Sequence, residues 1–163
     1  MTRLIALFLI FFYAGCTKQA PVADPTIHRS QDDETLLDIR QQAQETFLDF
    51  MNKLLNPEPG EQDFLVKCPF EADPGSGFSH ELIWLGDITF ENGRHYGSVS
   101  NVPYYISNLK FGDRVAFNAE TIDDWMYCKD GKIIGGRSIK YLIEQIPQPD
   151  WEPDLRRYYE MFE

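Results

Sequence analysis

Hydrophobic positions along the chain follow two periods that change at one point. Leu36, Ile39, Ala43, Phe47, Phe50, Met51 and Leu54 recur at spacings of three and four, which predicts one long amphipathic helix over 33–55. Ser30 with Asp33 three residues on marks its start. Asn56-Pro57-Glu58-Pro59-Gly60 ends it, because Pro57 disfavours helical geometry at Asn56 and brings no N–H donor. From Phe64 the period is two. Phe64, Val66, Cys68 and Phe70 alternate with Leu65, Lys67 and Pro69, the pattern of a first strand.

A loop rich in Gly and Pro over 72–79 leads to a second strand, 81–90, and a third, 94–100. Asn92-Gly93 between them is a hairpin signal, since both central residues of a type I′ turn need positive φ. Pro103 and Gly112-Asp113 bracket a loop, Val115 and Phe117 mark a short strand, and Trp125 to Cys128 forms another. Asp130-Gly131 turns that strand into Ile133-Ile134. Ser138 is placed to cap a short last helix with Ile139, Leu142, Ile143 and Ile146 on one face, stopped by Pro147. Trp151, Tyr158, Tyr159 and Phe162 in the tail are costly to leave in water, so the tail is expected to dock on the domain. Hairpin-joined strands with helices at the two ends of the chain predict an α+β fold: a small antiparallel sheet, a long N-terminal helix and a short C-terminal helix. The domain is expected to be single and to span 32–163.

The front of the chain reads differently. Arg3, an uncharged run over 4–13 and the small residues Ala14-Gly15 before Cys16 have the layout of a secretory signal over 1–15. The run is too short to span a membrane, which takes about 20 apolar residues. Small residues followed by Cys resemble the lipobox of bacterial lipoproteins, although Tyr13 stands where Leu is usual. By that resemblance Cys16 carries lipid and anchors the protein to a membrane, and Thr17 after it points to the outer membrane facing the periplasm. Residues 16–31, with Pro21 and Pro25 and no hydrophobic period, read as a flexible tether.

Charge narrows the partners. With 26 acidic against 15 basic side chains in 163 residues the net charge is −11, which excludes a nucleic-acid-binding surface. Catalytic carboxylates need a partner and a cleft, and the candidates are Glu81, Asp87, Asp113, Asp123 and Asp124. Adjacent Asp123 and Asp124 point to opposite faces of an extended chain, so they read as turn or cap residues. Asp113 after Gly112 reads the same way. If the Asn92-Gly93 turn pairs Phe90 with His95, His80 lies roughly 33 Å farther along, out of reach of a shared metal. No Cys-x-x-Cys, His-Glu-x-x-His or Gly-x-Ser-x-Gly occurs, and neither metal nor cofactor is expected. Gly135-Gly136 reads as close backbone packing. Trp84 and Trp125 suit a core, yet an indole also serves a ligand groove, so Trp84, Trp125, Asp113 and Asp124 form the candidate binding surface.

The order of signals carries a resemblance. Phe64-Leu65-Val66-Lys67 with Pro69-Phe70, His80-Glu81-Leu82-Ile83-Trp84, Asn92-Gly93, Gly112-Asp113-Arg114-Val115, Ile122-Asp123-Asp124-Trp125-Met126-Tyr127 and Gly135-Gly136 resemble the YegJ-like family of uncharacterised bacterial proteins, domain of unknown function 2314. The resemblance covers about 35–146 and brings no activity with it. The family usually has aliphatic residues where Cys68 and Cys128 stand here. That departure, with an oxidising compartment, leads to the expectation of a Cys68–Cys128 disulfide across neighbouring strands. Three functional readings follow: an envelope lipoprotein whose domain binds a protein or small ligand, an envelope or cell-wall hydrolase using carboxylates such as Glu81 and Asp113, and an antagonist of a basic toxin.

Overall fold

A computed structural model describes residues 33–163; the expected signal peptide over 1–15, Cys16 and the expected tether over 16–31 lie outside the described residues. Six strands form one sheet: β1 (Glu61–Glu71), β2 (His80–Glu91), β3 (Arg94–Val99), β4 (Arg114–Phe117), β5 (Asp124–Lys129) and β6 (Lys132–Gly135). Their order is β4-β3-β2-β1-β5-β6, with every pairing antiparallel. Helices α1 (Glu34–Glu45) and α2 (Phe47–Leu55) precede the sheet, and α3 (Arg137–Glu144) and α4 (Pro153–Tyr159) follow it. The class is α+β.

The two turn signals produce the two hairpins. Asn92 and Gly93 take φ of 51° and 78°, and Phe90 pairs with His95. Asp130 and Gly131 repeat the geometry at 50° and 80°, joining β5 to β6. His80 stands at the far end of β2 from that His95 pair, so the two imidazoles are kept apart.

Both faces of the sheet are covered. Phe47, Phe50 and Met51 of α2 and Ala43 of α1 pack on Val66, Cys68, Ile83, Leu85, Trp125 and Tyr127. On the opposite face, Ile143 of α3 and Leu155, Tyr158 and Phe162 of the tail pack on Leu65, Trp84, Met126 and Ile133. The central strand β1 therefore buries side chains on both sides. Each fully buried aromatic or aliphatic side chain in these layers contributes about 1.5–3 kcal/mol.

The helix predicted over 33–55 is two helices. Asp33 caps α1, its carboxylate accepting from the Thr35 and Leu36 amides. At Thr46 the chain leaves helical geometry with φ −101°. The Thr46 hydroxyl donates to the Gln42 carbonyl at 2.7 Å and accepts from the Trp125 indole N–H at 3.0 Å, so a tertiary hydrogen bond is satisfied at the break. At the other end Ser138 is not the cap of α3. Gly136, at φ 63°, occupies that place, and Ser138 lies inside the first turn.

The Cys68–Cys128 bridge is also corrected. Both cysteines are free thiols. Cys68 is opposite Ile83 on β2, and Cys128 is opposite Gln62 at the other end of β1. Six strand positions separate them along β1, roughly 20 Å, against a limit of about 7 Å between bridged Cα atoms. They also belong to different core layers. Both stand late in their strands, and antiparallel pairing sends two such ends in opposite directions.

Candidate functional site

The predicted binding residues do not come together on a surface. Trp84 is 2% exposed and packs in the α3–α4 layer, while Trp125 is 7% exposed and packs in the α1–α2 layer. Asp124 is wholly buried. Asp113 is exposed, but its carboxylate accepts from the Lys110 amide at 2.8 Å and shapes the turn before β4. The alternation of side chains along β5 separates Asp124 from Trp125, and Asp123, the buried residue just before β5, meets Arg40 of α1 at 2.7 Å on the face opposite to Asp124.

Asp124 belongs instead to a buried polar row. Trp84, Lys67 and Asp124 are register partners across β2, β1 and β5. The Lys67 ammonium lies 5.4 Å from the centre of the Trp84 ring and donates to the Ser138 hydroxyl at 3.4 Å. Ser138 gives Asp124 Oδ2 two hydrogen bonds, from its amide and its hydroxyl, each 2.7 Å long, and the Trp125 amide donates to Oδ1 at 2.8 Å. Burial pushes the Asp124 carboxyl above its usual range, opposed by the Ser138 hydrogen bonds and the Lys67 charge. A serine flanked by an amine and a carboxylate has the composition of a nucleophile with its base. Lys67, Asp124 and Ser138 are 6%, 0% and 1% exposed, however, and a substrate cannot reach them. The row pins the first turn of α3 to the sheet. The neighbouring Gly135 and Gly136 serve the same closeness, since a Cβ on Gly135 would overlap the Trp125 carbonyl.

An accessible surface of a different composition lies on the loops 72–79 and 100–113. Phe78, Val102 and Tyr104 are 40%, 40% and 53% exposed, and the Phe78 ring meets the Tyr105 ring at 4.6 Å. Beneath them two acidic side chains fix the backbone. Glu81, 7% exposed, accepts from the Tyr104 amide at 2.7 Å through one oxygen and from the Tyr105 amide at 2.8 Å through the other. Asp73 donates its amide to the Tyr105 carbonyl at 2.7 Å and accepts from the Ser107 amide at 2.9 Å. Ile106 then plugs the loop into the α1–α2 core layer. Glu81, a catalytic candidate by sequence, is thus a backbone clamp.

The aromatic loop residues have no strand or helix period and so escape a reading based on periodicity. The sign that marks them is the placing of Phe78 and of Tyr104-Tyr105 next to Gly77 and Pro103, where turn chemistry leaves side chains outside the core.

Among the described residues no group of three His, Cys, Asp or Glu is arranged to hold a metal ion. A dimple lined by Asp63, Leu65, Met126, Tyr127, Cys128 and Ile133 is apolar and small. Burial raises the Cys128 thiol above its ordinary value, and does so more strongly for Cys68, which removes thiolate character from both.

Comparison with known proteins agrees with the fold's extent. Uncharacterized protein YegJ of Escherichia coli (strain K12) is 32% identical over 150 residues, covering 90% of this chain and 91% of that protein. Putative ankyrin repeat protein NMB1133/NMB1171 of Neisseria meningitidis serogroup B is 31% identical over 86 residues, which are 53% of this chain and 34% of that one. No solved structure matches the chain. A family model described as "Uncharacterized protein conserved in bacteria (DUF2314)" matches residues 33–152, from the cap of α1 to the residue before α4. The chain belongs to the DUF2314 family.

Proposed function

We propose that the protein is a lipid-anchored envelope protein whose α+β domain is a binding module, and that Phe78, Val102 and Tyr104 form its contact surface. One observation carries the reading: a buried carboxylate, Glu81, holds two consecutive amides while the side chains beside them face solvent. Such a loop is ordered before it meets a partner, which removes much of the entropic cost of binding. Exposed aromatics supply large contact area with few rotatable bonds. The anchor is the lipid expected on Cys16, with the domain held by the tether 16–31 at the outer membrane, facing the periplasm.

The hydrolase reading has less support, since Glu81 and Asp113 both already accept backbone hydrogen bonds. A basic partner, as in the antagonist reading, is favoured by the net charge of −11, which steers association. The test is capture from envelope extract by the anchored wild type and by a Phe78→Ala/Tyr104→Ala form. A protein retained by the first and lost by the second supports the reading. Equal capture by both opposes it.

A further inference from the structure

The tail beyond residue 152 occupies its face of the sheet as a bound peptide would. Leu155, Tyr158 and Phe162, at positions i, i+3 and i+7, are its buried anchors at 1%, 8% and 8% exposure. They sit on Leu65, Trp84, Met126 and Ile133 of the sheet and on Ile143 of α3. Phe162 lies against Gly136, where a Cβ would come within 2.9 Å of its ring, so the missing side chain makes its seat. After α4 the chain runs along the outer edge of β6. The Ile133 amide donates to the Met161 carbonyl at 2.7 Å, the Glu163 amide donates to the Ile133 carbonyl at 3.1 Å, and Ile133 and Phe162 form a parallel bridge. Helix-in-groove anchoring and addition to a strand edge are two known modes of peptide recognition, and here one segment uses both.

Three features make this segment separable from what it covers. Its side-chain fastenings are exposed: Lys132 to the Glu160 carbonyl at 2.8 Å, Lys140 to the Glu163 carbonyl at 3.1 Å and Tyr159 to Glu144 at 2.6 Å. Water can replace such bonds at little net cost. The strand contact is one bridge, whereas β1 and β2 pair over six residues. The family match ends at residue 152, so the sheet and α3 that form the groove lie inside it and the anchors lie beyond it.

We propose that residues 153–163 are a detachable strap in a peptide-docking groove between α3 and the β6 edge. The groove accepts, in competition with the strap, a partner segment of the same chemistry: a short helix with apolar or aromatic side chains at i, i+3 and i+7 that continues into an extended end. This site is separate from the Phe78–Tyr104 surface and does not depend on it.

The test has two arms on the full chain. Hydrogen exchange on the wild type should show the Ile133 and Glu163 amides opening about 100-fold more often than the amides of the β1–β2 ladder. A labelled synthetic peptide with the sequence of residues 152–163 should bind the Phe162→Ala chain saturably, and at least about tenfold more tightly than the wild type, where the strap competes at high effective concentration. Strap amides that exchange only with the β1–β2 ladder would overturn the proposal. So would a peptide that binds neither chain or binds both equally. A Phe162→Ala chain that fails to fold would show an integral tail and overturn it too.

Discussion

Asp124 and Ser138, fourteen residues apart, are joined by two hydrogen bonds of 2.7 Å to the same carboxylate oxygen, which fastens α3 to β5 with no solvent contact. Removing the carboxylate leaves the Ser138 amide and the Lys67 ammonium buried without it. Asp124→Ala should therefore cost about 2–4 kcal/mol in urea unfolding, the range for breaking a buried hydrogen-bond network. Ser138→Ala, which keeps the amide bond, should cost about 1–2 kcal/mol. An Asp124→Ala loss below about 1 kcal/mol would mean the row carries little of the α3 attachment.

The α1–α2 layer makes a contrast between neighbours in sequence. Phe47 is 7% exposed and meets the Phe50, His95 and Phe117 rings at 5.9, 5.4 and 6.3 Å, while Leu48 is 71% exposed. Phe47→Ala should cost about 3–5 kcal/mol and Leu48→Ala less than about 0.5 kcal/mol. Similar losses at both positions would contradict the packing of α2 on the sheet.

His95 links stability to pH. Its ring is surrounded by Phe47, Phe90 and Phe117 at 5.4, 4.7 and 5.3 Å, and burial holds its pKa below the ordinary 6.5. The unfolded chain then binds more protons than the folded one, so stability rises with pH. The contribution of His95 is complete above the unfolded value and is lost as pH falls through 6.5 toward the depressed folded value. The urea midpoint should be lower at about pH 5.5 than at about pH 7.5, and His95→Gln should shrink that difference. An undiminished difference in the variant would assign the effect to other groups.

The cysteines should meet different fates. Cys16 should take up a fatty-acid analogue in cells, with the label lost in Cys16→Ala. Alkylation of denatured protein without reductant, mapped by mass spectrometry, should mark both Cys68 and Cys128. In the native state Cys128, which is half-buried, should react before Cys68, which is 2% exposed. Protection of both thiols until a reductant is added would restore the disulfide.

These sites differ in how far they could be read from the chain itself. Asn92-Gly93 fixes the pairing of Phe90 with His95 because turn chemistry is local, and the same holds at Asp130-Gly131. The opposite directions of Asp123 and Asp124 likewise follow from strand geometry alone. The break at Thr46 was not legible, because it coincides with a hydrogen bond from Trp125, 79 residues away. Nor was the separation of Cys68 from Cys128, which depends on the register of β1 against β5. Trp84 and Trp125 look alike as lone indoles, and only the sheet decides that they belong to opposite layers. The Tyr104 loop carries no periodic sequence signal for a related reason: its order comes from Glu81, 23 residues earlier.

The binding reading is tested most directly by placing a photo-activated cross-linking residue at Tyr104 in the anchored protein in living cells, with Glu120, exposed on a short helix before β5, as the control position. A discrete adduct formed at position 104, absent at position 120 and weakened when Glu81→Gln loosens the loop, is the predicted result. No adduct at position 104, or the same adducts at both positions, would contradict a contact surface built on Phe78, Val102 and Tyr104.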